Sequence, residues 1–409
     1  MGLVIEEAEN PVLKNAGPHR HYDTVHDARK FVPVSFAPKR VVVLSKTTRL
    51  QYEYLKVKKR ISDDFNDETF LKHLKKRNID FIEMKKKHDQ QVSYINAIVN
   101  ELRKDDIDVR VVTRSDYTKD LALWSDLIIS AGGDGTFLTA ASKVRNATPV
   151  LGINTDPVGS EGHLCLTGKA RRPANDVIRQ FLNGQFTWMY RQRIRVTVIR
   201  PSPDDVEVFS ESDGETTHPN RPCYFGSDDE CDEPPAEPMI ALNEVFIGES
   251  HAARVSYYEV QIDDGPLIKQ KSSGMTVCTG TGSTSWHYNI NRLTEQNLKE
   301  TLGVMGQMGF KVDGEINEPV IEEVCKRYNQ NLIFEPDAEK MAFSVRDPVF
   351  NATFPKTASR GFCHKIRLKS RCSHAQVVLD SHLAIPFNNG AEVIIEMHPE
   401  DVLSTASLV

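Results

Sequence analysis

The chain has 409 residues, of which 39% are hydrophobic, 26% charged and 8% aromatic, and its formal net charge is −6. This length predicts two domains, the acidic balance argues against a nucleic-acid-binding surface, and no run approaches the ~18 apolar residues that cross a bilayer, so neither nucleic acid nor membrane is expected as a partner. The cysteines (Cys165, Cys223, Cys231, Cys278, Cys325, Cys363 and Cys372) are odd in number and never spaced C-x-x-C, which suggests neither a disulfide framework nor a zinc site and fits a reducing compartment.

In chain order, residues 1–38 read as a weakly structured arm. Its start carries Glu6, Glu7 and Glu9 and no long apolar segment, unlike a secretory signal or an Arg-rich transit peptide. Glu6 also stands where myristoylation expects Ser or Thr. A cytosolic protein, a mature form and an isoform without a presequence all fit this start. Residues 39–184 then read as an α/β domain. "RVVVLS" (Arg40 to Ser45), "DVRVVT" (Asp108 to Thr113), "DLIISA" (Asp126 to Ala131) and "TPVLGIN" (Thr148 to Asn154) are short β-branched runs. Stretches such as "YINAIVNELRK", with apolar residues three and four apart, lie between them. Strands alternating with helices predict a parallel, doubly wound sheet. The basic run Lys85, Lys86 and Lys87 reads as a solvated helix face.

From 185 to 400 the texture is β-rich: "TWMYRQRIRVTVIR", "ARVSYYEVQID", "KIRLKS", "AQVVLD" and "AEVIIEM" alternate, and "IDDGPLIKQ" supplies an Asp-Gly hairpin turn. Two interruptions are expected. Residues 201–238 are acidic and rich in Ser, Pro and Gly, the composition of a disordered loop; the acids Asp228 to Glu233 lack the periodic spacing of a calcium loop. Residues 292–329 read as a helical insertion, and 401–409 as a tail.

The segment "SAGGDGTFLTAAS" (Ser130 to Ser142) joins a strand to a helix. Glycines there let the backbone approach a ligand, and amides converging at a helix N-terminus attract phosphate. Asp134 would repel a bare phosphate, but it suits proton removal from an attacking hydroxyl or a role beside Mg2+. A turn in which Asp134 bonds its own backbone is the bland alternative. The chain has no G-x-x-x-x-G-K-[ST] loop and no G-x-G-x-x-G after the first strand, which disfavours a P-loop NTPase and an ordinary dinucleotide-dependent dehydrogenase.

Two later stretches sharpen this. "ALNEVFIGE" sets Asn243 and Glu244 inside an otherwise apolar strand. Such a pair needs partners, either ligand hydroxyls and amino groups or the cap of a neighbouring turn. "SSGMTVCTGTGSTSW" (Ser272 to Trp286) runs from a strand into a Gly/Ser/Thr loop whose hydroxyls and amides suit phosphates and ribose, with Trp286 as a flat surface. A flexible surface turn is the alternative.

Taken in order, "GGDGT", "NE" and "TGTGSTSW" resemble the NAD kinase family. "GINTDPVGSEGHLCL", "HYNINR", "LSKTTRLQYEYL" and "SRCSHAQVVLDS" are similar to its animal mitochondrial-type branch, and the likeness spans most of the chain from about residue 40. The resemblance implies an NAD kinase-like two-domain fold with the active site between the α/β and β-rich domains. It implies ATP-dependent phosphorylation of the adenosine ribose 2′-hydroxyl of NAD, giving NADP. Asp134 would then activate or position that hydroxyl, while Gly132, Gly133, Gly135 and Thr136 cradle phosphates. Asn154 is carried over from "NTDPVG", and Asn243 and Glu244 would hold the ribose and neighbouring groups. Thr279, Gly280, Thr281, Gly282, Ser283, Thr284 and Trp286 would bind the dinucleotide, with Thr281, Ser283, Thr284 and Trp286 lining its adenine and ribose pocket. Mg2+ would arrive on the ATP phosphates without protein ligands, the chain would form a homodimer, and it would reside in the mitochondrial matrix, with the cytosol as alternative.

Three departures stand out. Ser273 precedes Gly274 where the broader family usually has Asp, Trp286 stands where it often has Tyr, and "NTDPVGSEGHL" replaces the usual "NTGxLGFL" type. Phosphoryl transfer needs positioning, a metal on the triphosphate and a base, and no covalent nucleophile. Competing readings are a diacylglycerol- or sphingosine-type lipid kinase, which shares "GGDGT", a weaker phosphofructokinase-like reading, and a non-catalytic NAD(H)- or NADP(H)-binding sensor. The polar later motifs disfavour the lipid kinase, and the intact "GGDGT" disfavours the sensor.

Overall fold

The computed structural model describes residues 34–58, 65–168, 172–202, 239–310 and 316–408. The expected arm up to residue 33, and all but Pro201 and Ser202 of the expected acidic loop, lie outside the described residues. The described chain divides into two compact units, residues 34–190 with 403–408, and residues 191–402.

The first unit is a four-stranded sheet in the order β2-β1-β3-β4, all parallel. The strands are β1 (Arg40–Ser45), β2 (Asp108–Val112), β3 (Leu127–Ala131) and β4 (Val150–Ile153). Val41 to Leu44 and all of β3 and β4 are buried, as expected when helices cover both faces of a parallel sheet. Helix α1 (Arg49–Lys58) follows β1, and α2 (Glu68–Lys76) and α3 (Phe81–Arg103) follow it. Asp67 and Asp80 cap α2 and α3 by accepting first-turn amides. Ile95, Ile98, Val99 and Leu102 make one stripe of α3 and pack into the core with Val41, Val43, Leu127 and Ile129. Helices α4 (Lys119–Trp124), α5 (Asp134–Ala141) and α6 (Ala174–Leu182) complete the layers. Because the sheet is parallel, β1, β3 and β4 end on one edge, at Ser45, Ala131 and Ile153.

This unit continues past Gly184. β5 (Phe186–Arg191) pairs with β18 (Leu403–Leu408), so residues expected as a tail form a strand. "LSTASL" is mostly polar and small, and only tertiary packing reveals that Leu403, Thr405 and Ala406 point inward. The single alternating stretch "TWMYRQRIRVTVIR" is likewise two strands in different sheets.

The second unit is a sandwich of two six-stranded antiparallel sheets, ordered β10-β9-β14-β17-β6-β7 and β13-β12-β11-β8-β15-β16. β6 (Ile194–Arg200), β7 (Met239–Ala241), β8 (Glu244–Glu249), β9 (Ser256–Ile262), β10 (Ile268–Ser272) and β11 (Met275–Cys278) come first. β9 and β10 form the expected hairpin, with the Gly265 amide donating to the Ile262 carbonyl at 3.0 Å. Helix α7 (Trp286–Asn291) follows, then α8 (Glu295–Gln307) and α9 (Glu318–Gln330), which form the helical insertion. β12 (Met341–Val345), β13 (Arg360–Cys363), β14 (Lys365–Ser370), β15 (Ala375–Leu379), β16 (Leu383–Pro386) and β17 (Glu392–Met397) close the sheets. Val245, Ile247, Met275, Val277 and Phe343 share the core with Val196, Tyr258, Ile366 and Val393 of the other sheet. The chain changes sheets between β7 and β8, and Asn243–Glu244 sits at that step. The expectation of a polar pair inside a continuous strand is thereby corrected: Asn243 lies in the break and Glu244 opens β8.

Candidate active site

In the first unit the glycine turn lies at the carboxyl edge of the sheet, between β3 and α5, as its texture predicts. The N-cap of α5 is Gly133, and no side-chain cap is made there among the described residues. The glycines differ in why they are glycine. A Cβ on Gly132 would lie 2.3 Å from Thr136 Oγ1, and one on Gly133 would lie 2.5 Å from Ser160 Oγ. A Cβ on Gly135 would meet nothing within 4 Å. Packing therefore accounts for the first two glycines, and Gly135 faces open space.

That space is a cavity of about 300 Å³, lined among others by Gly135, Thr136, Thr139, Lys46, Thr47 and Arg114. Burial, Lys119 and Arg114 all lower the pKa of nearby Lys143, which marks a locally basic edge. A neighbouring cavity of about 540 Å³ shares Lys46 and Thr47 and reaches Arg49, Asp80, Lys87 and Asp156. Lys46 lies 3.7 Å from Asp156; burial pushes its ammonium pKa down, Asp156 opposes that shift and Lys87 adds to it.

Among the described residues, Asp134 bonds neither its own turn nor a cation. Its Oδ1 accepts the Leu164 amide at 2.8 Å and its Oδ2 the His163 amide at 3.2 Å. The turn alternative is thus replaced by a long-range tie to the 154–168 loop. Asn154 folds that loop: its Nδ2 donates to the Gly168 and Ser160 carbonyls at 2.8 and 3.2 Å, and its Oδ1 accepts the Asp156 amide at 3.0 Å. Each polar atom of the Asn154 side chain has a protein partner.

In the second unit the structure joins the two later motifs. The Thr279 amide donates to the Asn243 carbonyl at 3.0 Å, and Thr279 Oγ1 donates to the Leu242 carbonyl at 2.6 Å. A Cβ on Gly282 would lie 2.1 Å from the Asn243 carbonyl oxygen, and one on Gly280 would lie 1.8 Å from that of Glu335. The "TGTGSTSW" loop is not a flexible surface turn: Thr281 to Thr284 form a 3-10 turn, with Thr279, Thr281 and Ser283 buried. Ser283 Oγ donates to the Gly280 carbonyl at 2.7 Å, and Thr281 Oγ1 accepts from Arg191 at 3.2 Å. Thr284 and Trp286 remain half-buried.

Asp380 organises the step between the sheets. It accepts the amides of Leu242, Asn243 and Glu244 at 2.7, 2.8 and 3.1 Å. Burial pushes its carboxyl pKa up while the three amides oppose the rise. Beside it, Glu244 is pushed up to about 7, first by burial and then by the Asp380 charge. Asn243 Oδ1 and Glu244 Oε2 are buried without a hydrogen-bond partner among the described residues. Such acceptors are costly unless something supplies donors. The capping role thus belongs to Asp380, and it leaves Asn243 Oδ1 and Glu244 Oε2 unmatched among the described residues. Sequence reasoning missed Lys46, Arg114 and Asp380. "LSKTTR" and "VVLDS" held the first and last, but each acts through partners distant in sequence.

A glycine turn at the carboxyl edge of a parallel sheet suits phosphates, and in the other unit buried acceptors without a protein partner among the described residues suit a polar, hydroxyl-bearing molecule; each is a feature of small-molecule kinases. Residues 41–186 match the ATP-NAD kinase N-terminal domain family. Over 381 residues the chain is 38% identical to "NAD kinase 2, mitochondrial" of Rattus norvegicus, covering 91% of this chain and 88% of that protein. The protein of the same name from Homo sapiens is 38% identical over 381 residues, covering 91% and 85%. That of Xenopus tropicalis is 38% identical over 394 residues, covering 91% of each. The chain belongs to the NAD kinase family.

Proposed function

We propose that this chain transfers the γ-phosphoryl group of ATP to the adenosine ribose 2′-hydroxyl of NAD, giving NADP. Family membership supplies the reaction. The observation that carries the acceptor assignment is the pair of unpartnered buried acceptors, Asn243 Oδ1 and Glu244 Oε2. They suit ribose hydroxyls and an adenine amino group, whereas an acyl chain would leave both unsatisfied.

In this reading the triphosphate lies at the start of α5, against the backbone of Gly133 and Gly135, the Thr136 hydroxyl, Lys46 and Arg114. Gly132 shapes the turn by making room for Thr136. Mg2+ enters as part of the MgATP substrate, carried by its phosphates. Asp134 takes up or positions the 2′-hydroxyl proton. A carboxylate has about four lone-pair sites, and two of those on Asp134 are engaged by His163 and Leu164. Asn154 acts by shaping the loop that holds Asp134. Gly280 and Gly282 let the "TGTGS" backbone close on Asn243, and Thr279, Thr281 and Ser283 hold that geometry. Thr284 and Trp286 face the dinucleotide. The chain forms a homodimer, for which sedimentation should give about twice 46.1 kDa, and it works in the mitochondrial matrix, which imaging of the full-length protein would distinguish from the cytosol.

The deciding experiment supplies purified protein with MgATP and NAD, NADH or diacylglycerol and follows NADP(H) and lipid phosphate. NADP formation is expected. NAD binding without product would make the chain a sensor, and phosphorylated lipid would replace the acceptor assignment.

A further inference from the structure

The sheet face that begins at Glu244 continues beyond it. Strand register sets Glu244 beside Cys278 and Ala342, and Phe246 beside Thr276 and Ser344. These side chains point away from the core that Val245, Ile247, Val277 and Phe343 fill. The next step is a bulge: the Arg346 amide donates to the Gly274 carbonyl and the Ser273 amide to the Arg346 carbonyl, both at 2.9 Å, so two residues oppose one. Gly274 has φ +118, and a Cβ there would lie 2.7 Å from the Phe246 ring. Phe246 therefore lies over the bulge, 5.3 Å from the Trp286 ring and tilted 32° to it. The Arg346 guanidinium stands 5.4 Å from the same Trp286 ring.

The other interactions of Arg346 decide its role. Arg367 and Arg371 in the same unit pair with Glu392 and Glu259, and Arg360 bonds the Asn291 carbonyl and the Tyr328 hydroxyl. Arg346 is half-buried and has no side-chain hydrogen bond or ion pair among the described residues, only the face of Trp286. A guanidinium presents five donors in a planar fork that fits phosphate oxygens, and stacking on an aromatic ring orients it. Thr276 Oγ1, on the same face, is also buried without a partner. Unmatched polar atoms thus run from a carboxylate at Glu244 through Thr276 to a cation at Arg346, four residues or roughly 13 Å along the strand direction. A ligand that satisfies this row carries hydroxyl donors at one end and an anionic group at the other.

We propose that Arg346, oriented on Trp286, is the anion anchor of the acceptor site and recognises the phosphates that join the two halves of the dinucleotide. This assignment rests on the acceptor reading above and adds the residue that distinguishes a phosphate-bearing acceptor from a nucleoside.

Equilibrium binding of NAD and of adenosine, which lacks phosphate, tests it without ATP. Arg346→Ala should weaken NAD binding about ten- to a hundred-fold and leave adenosine binding unchanged, and Arg346→Lys should recover part of the loss. Added salt should weaken NAD binding to the wild type more than to Arg346→Ala. Equal weakening of both ligands would make Arg346 a packing residue, and unchanged NAD affinity would remove the anchor; either result overturns the proposal. A protein that makes no NADP yet shows the phosphate-dependent loss would sink the kinase reading and keep the anchor, whereas normal NADP formation with Arg346→Ala indifferent would do the reverse.

Discussion

At Asp134 a single carboxylate joins a protein contact to the proposed chemistry. Asp134→Asn keeps one acceptor for the His163 and Leu164 amides but cannot take a proton. Turnover should fall by about 10²-fold or more while NAD affinity changes only a few-fold. Equal losses in steady-state turnover and calorimetric affinity would make Asp134 a binding residue. Glu244 predicts a pH dependence. Its pKa is raised from the ordinary 4.5 to about 7, so the folded protein holds this proton more tightly than the unfolded chain. The associated stability is fully present below pH 4.5 and is lost as pH rises through about 7. Glu244→Gln should therefore gain melting temperature relative to the wild type as pH goes from 5 to 8. Ribose hydroxyls donating to Glu244 favour its ionised form, so NAD should bind the wild type more tightly at pH 8 than at pH 6, and Glu244→Gln should flatten that trend. A parallel pH profile in the variant would show that Glu244 does not face the ligand.

The two glycine-rich elements make opposite use of their missing side chains. Gly135 lies in the first turn of α5 with open space where a Cβ would stand. Gly135→Ala should stabilise the protein by about 0.5–1 kcal/mol through helix propensity, yet raise the KM for ATP. A gain in melting temperature with unchanged KM would leave that glycine without a ligand role. Gly280 faces the Glu335 carbonyl, which a Cβ would approach to 1.8 Å. Gly280→Ala should cost about 1–3 kcal/mol or more, read by denaturant unfolding, with NAD binding lost as the 279–284 turn shifts. The glycine turn after β3 was legible in sequence because apolar strand, glycines and helical texture are consecutive. The step between β7 and β8 was not, because its acceptor Asp380 lies 136 residues from Glu244 and nothing local marks the pairing.

For the whole molecule, β18 completes the unit in which β1 lies. Leu403 and Ala406 are buried, and Ala406 joins the core of Val41, Ile129, Phe181 and Phe186. Deleting residues 403–409 removes that burial and the ladder with β5, a loss of roughly 3–5 kcal/mol. Thermal unfolding of the truncated protein should begin in this unit, seen as early loss of amide protection in β4 and β5 while the sandwich strands β8 and β11 stay protected. Uniform loss of protection, or none, would contradict the assignment of β18 to this unit.

The sequence by itself determined the parallel sheet, the β-rich remainder, the glycine turn and the family, because each rests on consecutive residues or on motifs with a fixed order. Arg40 to Ser45 could be read as a strand from six adjacent residues. Only the tertiary structure decided that Asp134 is tied to the 163–164 amides, that Asp380 holds the Asn243–Glu244 step, that Gly132 is crowded and Gly135 open, and that Arg346 stands on Trp286 without a carboxylate partner among the described residues. The physical reason is the same in each case. A strand or a turn is specified by neighbours in sequence, whereas an unpaired donor or acceptor is defined by everything packed around it. "SAGGDGT" therefore suggests phosphate from consecutive residues alone, but the acceptor proposed here rests on buried oxygens that only the folded chain leaves unmatched.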